Sequence, residues 1–140
     1  MPGNSVTILS SQVHAGDSAV QTVTSDKVQG DGYYGRSDGF HTVQINLTDF
    51  SGDITLEGSL SLTPTDEDWF TIELSSTSTI AGTVDTTGAI STGSTVTVSS
   101  LSYADETSNN NFNFVGNFVW IRAQVADWTN GSIGSILMNH

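Results

Sequence analysis

The side chains able to do acid–base or nucleophilic chemistry are few in this sequence and widely spaced. Histidine stands at positions 14, 41 and 140, and there is no cysteine. Nucleophilic catalysis needs a nucleophile, a base within reach and a group that orients the base. His14 falls in a weakly patterned lead-in and His140 is the last residue. His41 opens a strand-like stretch beside Phe40 and is expected on the polar face, as a surface histidine. No Gly-x-Ser-x-Gly elbow is present to set up a serine. Glycoside hydrolysis would need two carboxylates about 5–9 Å apart across a cleft. Glu57 alternates with Thr55 and Ser59, and Glu73 with Thr71. Both are therefore expected to face solvent, without an aromatic beside them to stack on a sugar. Asp66-Glu67-Asp68 and the glycine-flanked Asp31 and Asp38 lack the ligand spacing of a calcium loop and read as turn acids. The expectation is a chain with no catalytic residues, no metal site and no cofactor.

What remains is aromatic. Trp69 follows the acidic loop and Trp128 precedes a turn, while Tyr33 and Tyr34 lie between glycine-rich turns. Aromatics placed near loops can anchor a protein interface or form a platform for a sugar. These four are the candidate interface or ligand residues. Trp120 sits in the most apolar stretch of the chain and is expected in the core.

Charge narrows the partners. Fifteen acidic residues against three basic ones, Lys27, Arg36 and Arg122, give a net charge of −12. Three cations are too few to neutralise the phosphates a nucleic-acid site must contact, and an acidic body is repelled by anionic lipid. No apolar run approaches the roughly 18 residues of a membrane span. Neither nucleic acid nor membrane is expected as a partner.

The elements that must carry these residues are strands. The chain has 14 Gly and only 2 Pro, is rich in Ser and Thr, and shows no helical period. Residues 1–36 form a polar arm with short strands at Ser5–Leu9 and Ala19–Val23, the second anchored by Val20 and Val23. From 37 to 140 the pattern sharpens into one domain. Val43, Ile45 and Leu47 alternate through one strand, Asp49–Gly52 reads as a hairpin connection, and Ile54, Leu56, Gly58 and Leu60 point inward in the next. The glycine at that inward position implies a close neighbour. Residues 63–68 read as a loop and Trp69–Leu74 as a strand with Phe70, Ile72 and Leu74 inward. Two or three short strands fit between 75 and 100, Asp105–Asn111 reads as a polar loop, and Phe112–Val125 as a central strand. Asn130-Gly131 reads as a turn before a last strand, Ile133–Met138. About eight strands of this kind predict an all-β fold, an antiparallel β-sandwich of jelly-roll type.

Two segments carry a resemblance. One runs from Gly32-Tyr33-Tyr34-Gly35-Arg36-Ser37-Asp38-Gly39-Phe40 through Asp49-Phe50-Ser51-Gly52-Asp53-Ile54 to Pro64-Thr65-Asp66-Glu67-Asp68-Trp69-Phe70. The other joins Gly116-Asn117-Phe118-Val119-Trp120-Ile121-Arg122-Ala123-Gln124-Val125 to Gly131-Ser132-Ile133-Gly134-Ser135-Ile136-Leu137-Met138-Asn139. Together they resemble small β-rich virion structural proteins of tailed phages, especially those of marine cyanobacteria. The resemblance implies a non-enzymatic component of the virion, a capsid decoration, neck or tail accessory protein whose partners are other virion proteins. The arm, too poor in apolar residues to fold alone, is expected to pair with a sheet edge in its own domain or a neighbour, and a homo-oligomer is expected. The alternative is a carbohydrate-binding sandwich that attaches to a host glycan.

Overall fold

The computed structural model describes residues 5–35, 39–78 and 94–139. Ten strands join in one sheet: β1 Val6–Leu9, β2 Gln12–Val13, β3 Gln21–Thr24, β4 Val28–Gln29, β5 Phe40–Ser59, β6 Phe70–Thr71, β7 Leu74–Ser78, β8 Ser94–Val98, β9 Leu101–Val115 and β10 Trp120–Asn139. Every ladder is antiparallel, in the order β1-β10-β5-β9-β7-β8. The arm is part of this sheet. β1, β2, β3 and β4 lie one after another along the outer edge of β10, from Val6 opposite Met138 to Gln29 opposite Trp120. The short strands expected between 75 and 100 are β7 and β8, while Ile80, Val84 and Ile90 lie outside the described residues.

Three strands are far longer than the turn signals suggested. Asp49–Gly52 is no hairpin but the middle of the 20-residue β5, Asn130-Gly131 lies inside the 20-residue β10, and Asp105–Asn111 belongs to β9 rather than to a loop. The turn-forming residues do act, as bulges. Asp49, Asp105 and Asp127 each take a left-handed conformation (φ 49°, 50° and 50°) and Gly131 does so at φ 84°. The ladders slip register at these levels. A bulge adds one residue, which shifts the inward parity and bends the strand. In β5 the buried positions are His41, Val43, Ile45 and Leu47, then Phe50, Gly52, Ile54, Leu56 and Gly58, with Ser59 at the strand end. Aspartate tolerates the left-handed region better than most residues. The bends of β5 and β9 also lock together, since Thr107 Oγ1 accepts the Asp49 N–H at 2.9 Å and Ser51 Oγ accepts the Asp105 N–H at 2.9 Å.

The bends fold the sheet onto itself. A straight strand of this length would span roughly 65 Å. Yet both ends of β5 meet the ring of Phe118: His41 lies 6.3 Å away between centroids, and a β-carbon on Gly58 would sit 2.9 Å from Phe118 Cδ1. The two halves of β5, β9 and β10 thus become the two layers of a β-sandwich, and their inner faces merge in one core. Gly58 has the close neighbour its inward position implied, with Ile72 Cδ1 at 3.1 Å from the same β-carbon. Several apolar residues are not inward as expected. Phe70 is 41% exposed, Leu60 64% and Val20 58%, because each lies at a strand end or outside a strand, where alternation no longer holds.

Candidate functional site

The parity of β10 decides which of its side chains face out. Ile121, Ala123 and Val125 are fully buried, so Trp120 and Arg122 project to the other side. Trp120 is therefore not in the core, contrary to the sequence expectation. The tryptophan that fills the core is Trp128, 1% exposed, which comes into phase after the bulge at Asp127. Its Nε1 donates to the Asn130 carbonyl at 2.9 Å, and the His14 ring meets it edge-on at 5.6 Å. Trp128 is thereby removed from the candidate ligand residues. Trp69, Tyr33 and Tyr34 stay at the surface.

These three gather on the outer face of the layer built from the first half of β10 and the second half of β5. Arg122 and Glu57 are direct cross-strand partners, with Arg122 Nε donating to Glu57 Oε1 at 2.9 Å. The Arg122 guanidinium carbon lies 4.3 Å from the centre of the Trp69 ring. Trp69 is delivered by a single 3-10 turn, Asp66–Asp68, in which Asp68 Oδ2 accepts from the Thr65 N–H at 2.8 Å and the Thr65 hydroxyl at 3.1 Å. This turn sits within the predicted loop. Alongside, Lys27 Nζ lies 5.0 Å from the Trp120 ring, whose Nε1 donates to the Leu62 carbonyl at 3.0 Å. Tyr33 packs 5.2 Å from Trp120 and 5.4 Å from Tyr34. Between Lys27 and Trp69 opens a groove of about 190 Å³, lined also by Ser25, Asp26, Pro64, Asp66 and Arg122.

Both basic residues that the structure describes therefore lie on this one face, each over a tryptophan. A cation held on an indole face gains roughly 0.5–2 kcal/mol and keeps N–H donors pointing to solvent. Glu57 is not the free solvent-facing acid expected from its alternation, because its partner across the ladder is the arginine. Sequence reasoning missed Trp120, Lys27, Arg122 and Glu57. Counting back from the buried Val125 in steps of two would have placed Trp120 and Arg122 outward.

A second, wider cavity of about 580 Å³ lies beside β9, lined by Tyr103, Glu106, Asn109, Asn110, Asn111 and Asn113 with neighbouring residues. The Tyr103 hydroxyl is buried and makes no hydrogen bond of good geometry. Burial pushes its pKa up from the ordinary 10.0, the Glu106 charge adds to the rise, and Asn110 opposes it.

The two described histidines, His14 and His41, occupy structural positions. His41 is buried, not exposed, since it shares the odd parity of Val43, Ile45 and Leu47. It stacks on Phe114 at 4.6 Å, its Nδ1 faces the Gly39 carbonyl at 2.9 Å, and its Nε2 accepts from the Asp31 N–H at 3.3 Å. His14 is buried as well, not loose in the arm. Its Nε2 faces the Ala19 carbonyl at 2.9 Å and its Nδ1 accepts from the Gly16 N–H at 3.0 Å. Each ring thus uses one nitrogen as donor and one as acceptor toward the backbone. Among the described residues, no three His, Asp or Glu side chains come together as a metal site would require. Comparison with protein-family models, with curated proteins and with solved structures finds no match for this chain.

Proposed function

We propose that this chain is a virion structural protein, a non-enzymatic capsid decoration, neck or tail accessory component that works through protein–protein assembly. The observation that carries the reading is the unequal treatment of the two sheet edges. On one side, the edge of β10 is covered along its length by four short, interrupted strands of the chain's own arm. Short, broken edge strands resist pairing with other chains. On the other side the ladder order ends in β8, with no partner beyond it among the described residues. Among the described residues, then, one edge is covered and the other ends in β8, an arrangement suited to adding strands in one direction. Phe40 and Val115, directly opposed across the β5–β9 ladder and 53% and 70% exposed, offer an apolar cross-strand pair for a neighbour to cover. Among the described residues, the buried, backbone-bonded His14 and His41 support a role without acid–base chemistry. The resemblance of the Gly32–Phe70 and Gly116–Asn139 segments to phage structural proteins supplies the particle, with other virion proteins and further copies of this chain as partners.

Mass spectrometry of purified particles, together with light scattering of the isolated chain, tests the proposal. The chain should be found in particles at many copies and should self-associate at high concentration. Absence from particles, with a strictly monomeric chain, would sink it.

A further inference from the structure

We propose that the groove between Trp69 and Lys27 binds a neutral pyranose unit of a saccharide. Its lining mixes both signs: Lys27 and Arg122 bring N–H donors, Asp26 and Asp66 bring carboxylate acceptors. An anion would meet the two carboxylates, and a divalent cation would meet the ammonium and the guanidinium. A sugar hydroxyl, which donates and accepts at once, is matched by neighbouring donors and acceptors of this kind. The donors are held in place in advance. Arg122 is fixed by Glu57 at 2.9 Å and by the Trp69 ring at 4.3 Å, and Lys27 by the Trp120 ring at 5.0 Å. Binding therefore loses little side-chain entropy.

Size agrees with a single ring. The volume of about 190 Å³ is below the range for drug-sized ligands, roughly 300–1,000 Å³, and corresponds to about six waters. Trp69 lines the groove and carries the Arg122 guanidinium on its ring face, 4.3 Å from the centre, so that its part in the site is to hold those donors toward the sugar hydroxyls. The site also extends. Lys27 lines the groove and at the same time covers Trp120, against which Tyr33 and then Tyr34 are packed, 46% and 49% exposed. A second sugar unit would run from the groove over Lys27 toward these tyrosines, so an oligosaccharide should bind more tightly than a monosaccharide. This inference stands apart from the assembly proposal, since a particle protein and a free module would present the groove alike.

The test is a glycan array on the full chain, followed by calorimetric titration with the best neutral oligosaccharide. The variants are Trp69→Ala, Asp66→Asn and Lys27→Gln. Neutral hexose-containing glycans should bind, and each substitution should weaken binding by about tenfold or more. Asp66 is exposed, so Asp66→Asn should leave the melting temperature unchanged and separate lost binding from lost folding. Three results would overturn the assignment: no glycan bound, a preference for acidic glycans, or affinity unmoved by both Trp69→Ala and Asp66→Asn.

Discussion

The α-carbon of Gly131 in β10 lies against the backbone of Asp49 in β5, so closely that a β-carbon would stand 2.1 Å from the Asp49 carbonyl oxygen. Both residues are at bulges, with φ of 84° and 49°. This contact is where the two central strands bend together, and it fixes the crease of the sandwich. Gly131→Ala must relieve both a left-handed strain of about 1–2 kcal/mol and a clash with backbone. Gly16→Ala is the control, because Gly16 has a similar φ of 79° and nothing within 4 Å. Thermal melting should show a small loss for Gly16→Ala and a loss at least twice as large for Gly131→Ala. Equal losses would mean that the crease does not depend on this approach.

The two tryptophans of β10 should differ sharply. Trp128→Ala empties a fully buried site and should cost about 3–5 kcal/mol, enough to lower the melting temperature by roughly 10 °C or more. Trp120→Ala removes a surface ring that holds Lys27 and Tyr33, at about 1–2 kcal/mol. Chemical denaturation of the two variants gives the comparison. A costlier Trp120→Ala would place the core on the wrong side of β10.

Alkaline stability should depend on Tyr103. Its folded-state pKa is raised above the ordinary 10.0, chiefly by burial. The folded state therefore holds the phenolic proton more tightly than the unfolded chain. Stability is unaffected by this group below about pH 9 and falls as pH rises through 10 toward the folded value. Tyr103→Phe should remove that part of the decline, visible as a flatter melting temperature between about pH 9 and 11. An unchanged profile would show that the phenol titrates freely.

Removing residues 1–29 should not leave a folded domain with a loose arm deleted. It strips β1 through β4 from β10, takes out the buried Ile8, Leu9 and His14, and bares a 20-residue backbone edge. Light scattering should show aggregation of the truncated chain, where the full chain gives a discrete species. A well-folded truncated monomer would mean that the arm is dispensable.

Composition and alternation sufficed for the all-β antiparallel class, for the inward positions of Val43, Ile45, Leu47, Ile54 and Leu56, and for the close neighbour at Gly58. These are local facts, since a strand's two faces come from a period of two. The surface placement of Tyr33 and Tyr34 follows from the turn residues that flank them, and Trp69, just after a turn, is half-buried. What the sequence left open is how turn-forming residues are used. Asp49-Phe50-Ser51-Gly52, Asp105 and Asn130-Gly131 favour left-handed backbone, and that preference suits a hairpin and a bulge equally. The choice rests on pairing between residues far apart in the chain, such as Thr107 with Asp49 and Ser51 with Asp105. Each bulge then reverses the inward parity of the residues beyond it, which buries Trp128 and leaves Trp120 outside. The groove depends on the same long-range events. Lys27 in the arm, Glu57 in β5, Trp69 after the 3-10 turn and Arg122 in β10 become neighbours only once the sheet has closed over its own bends.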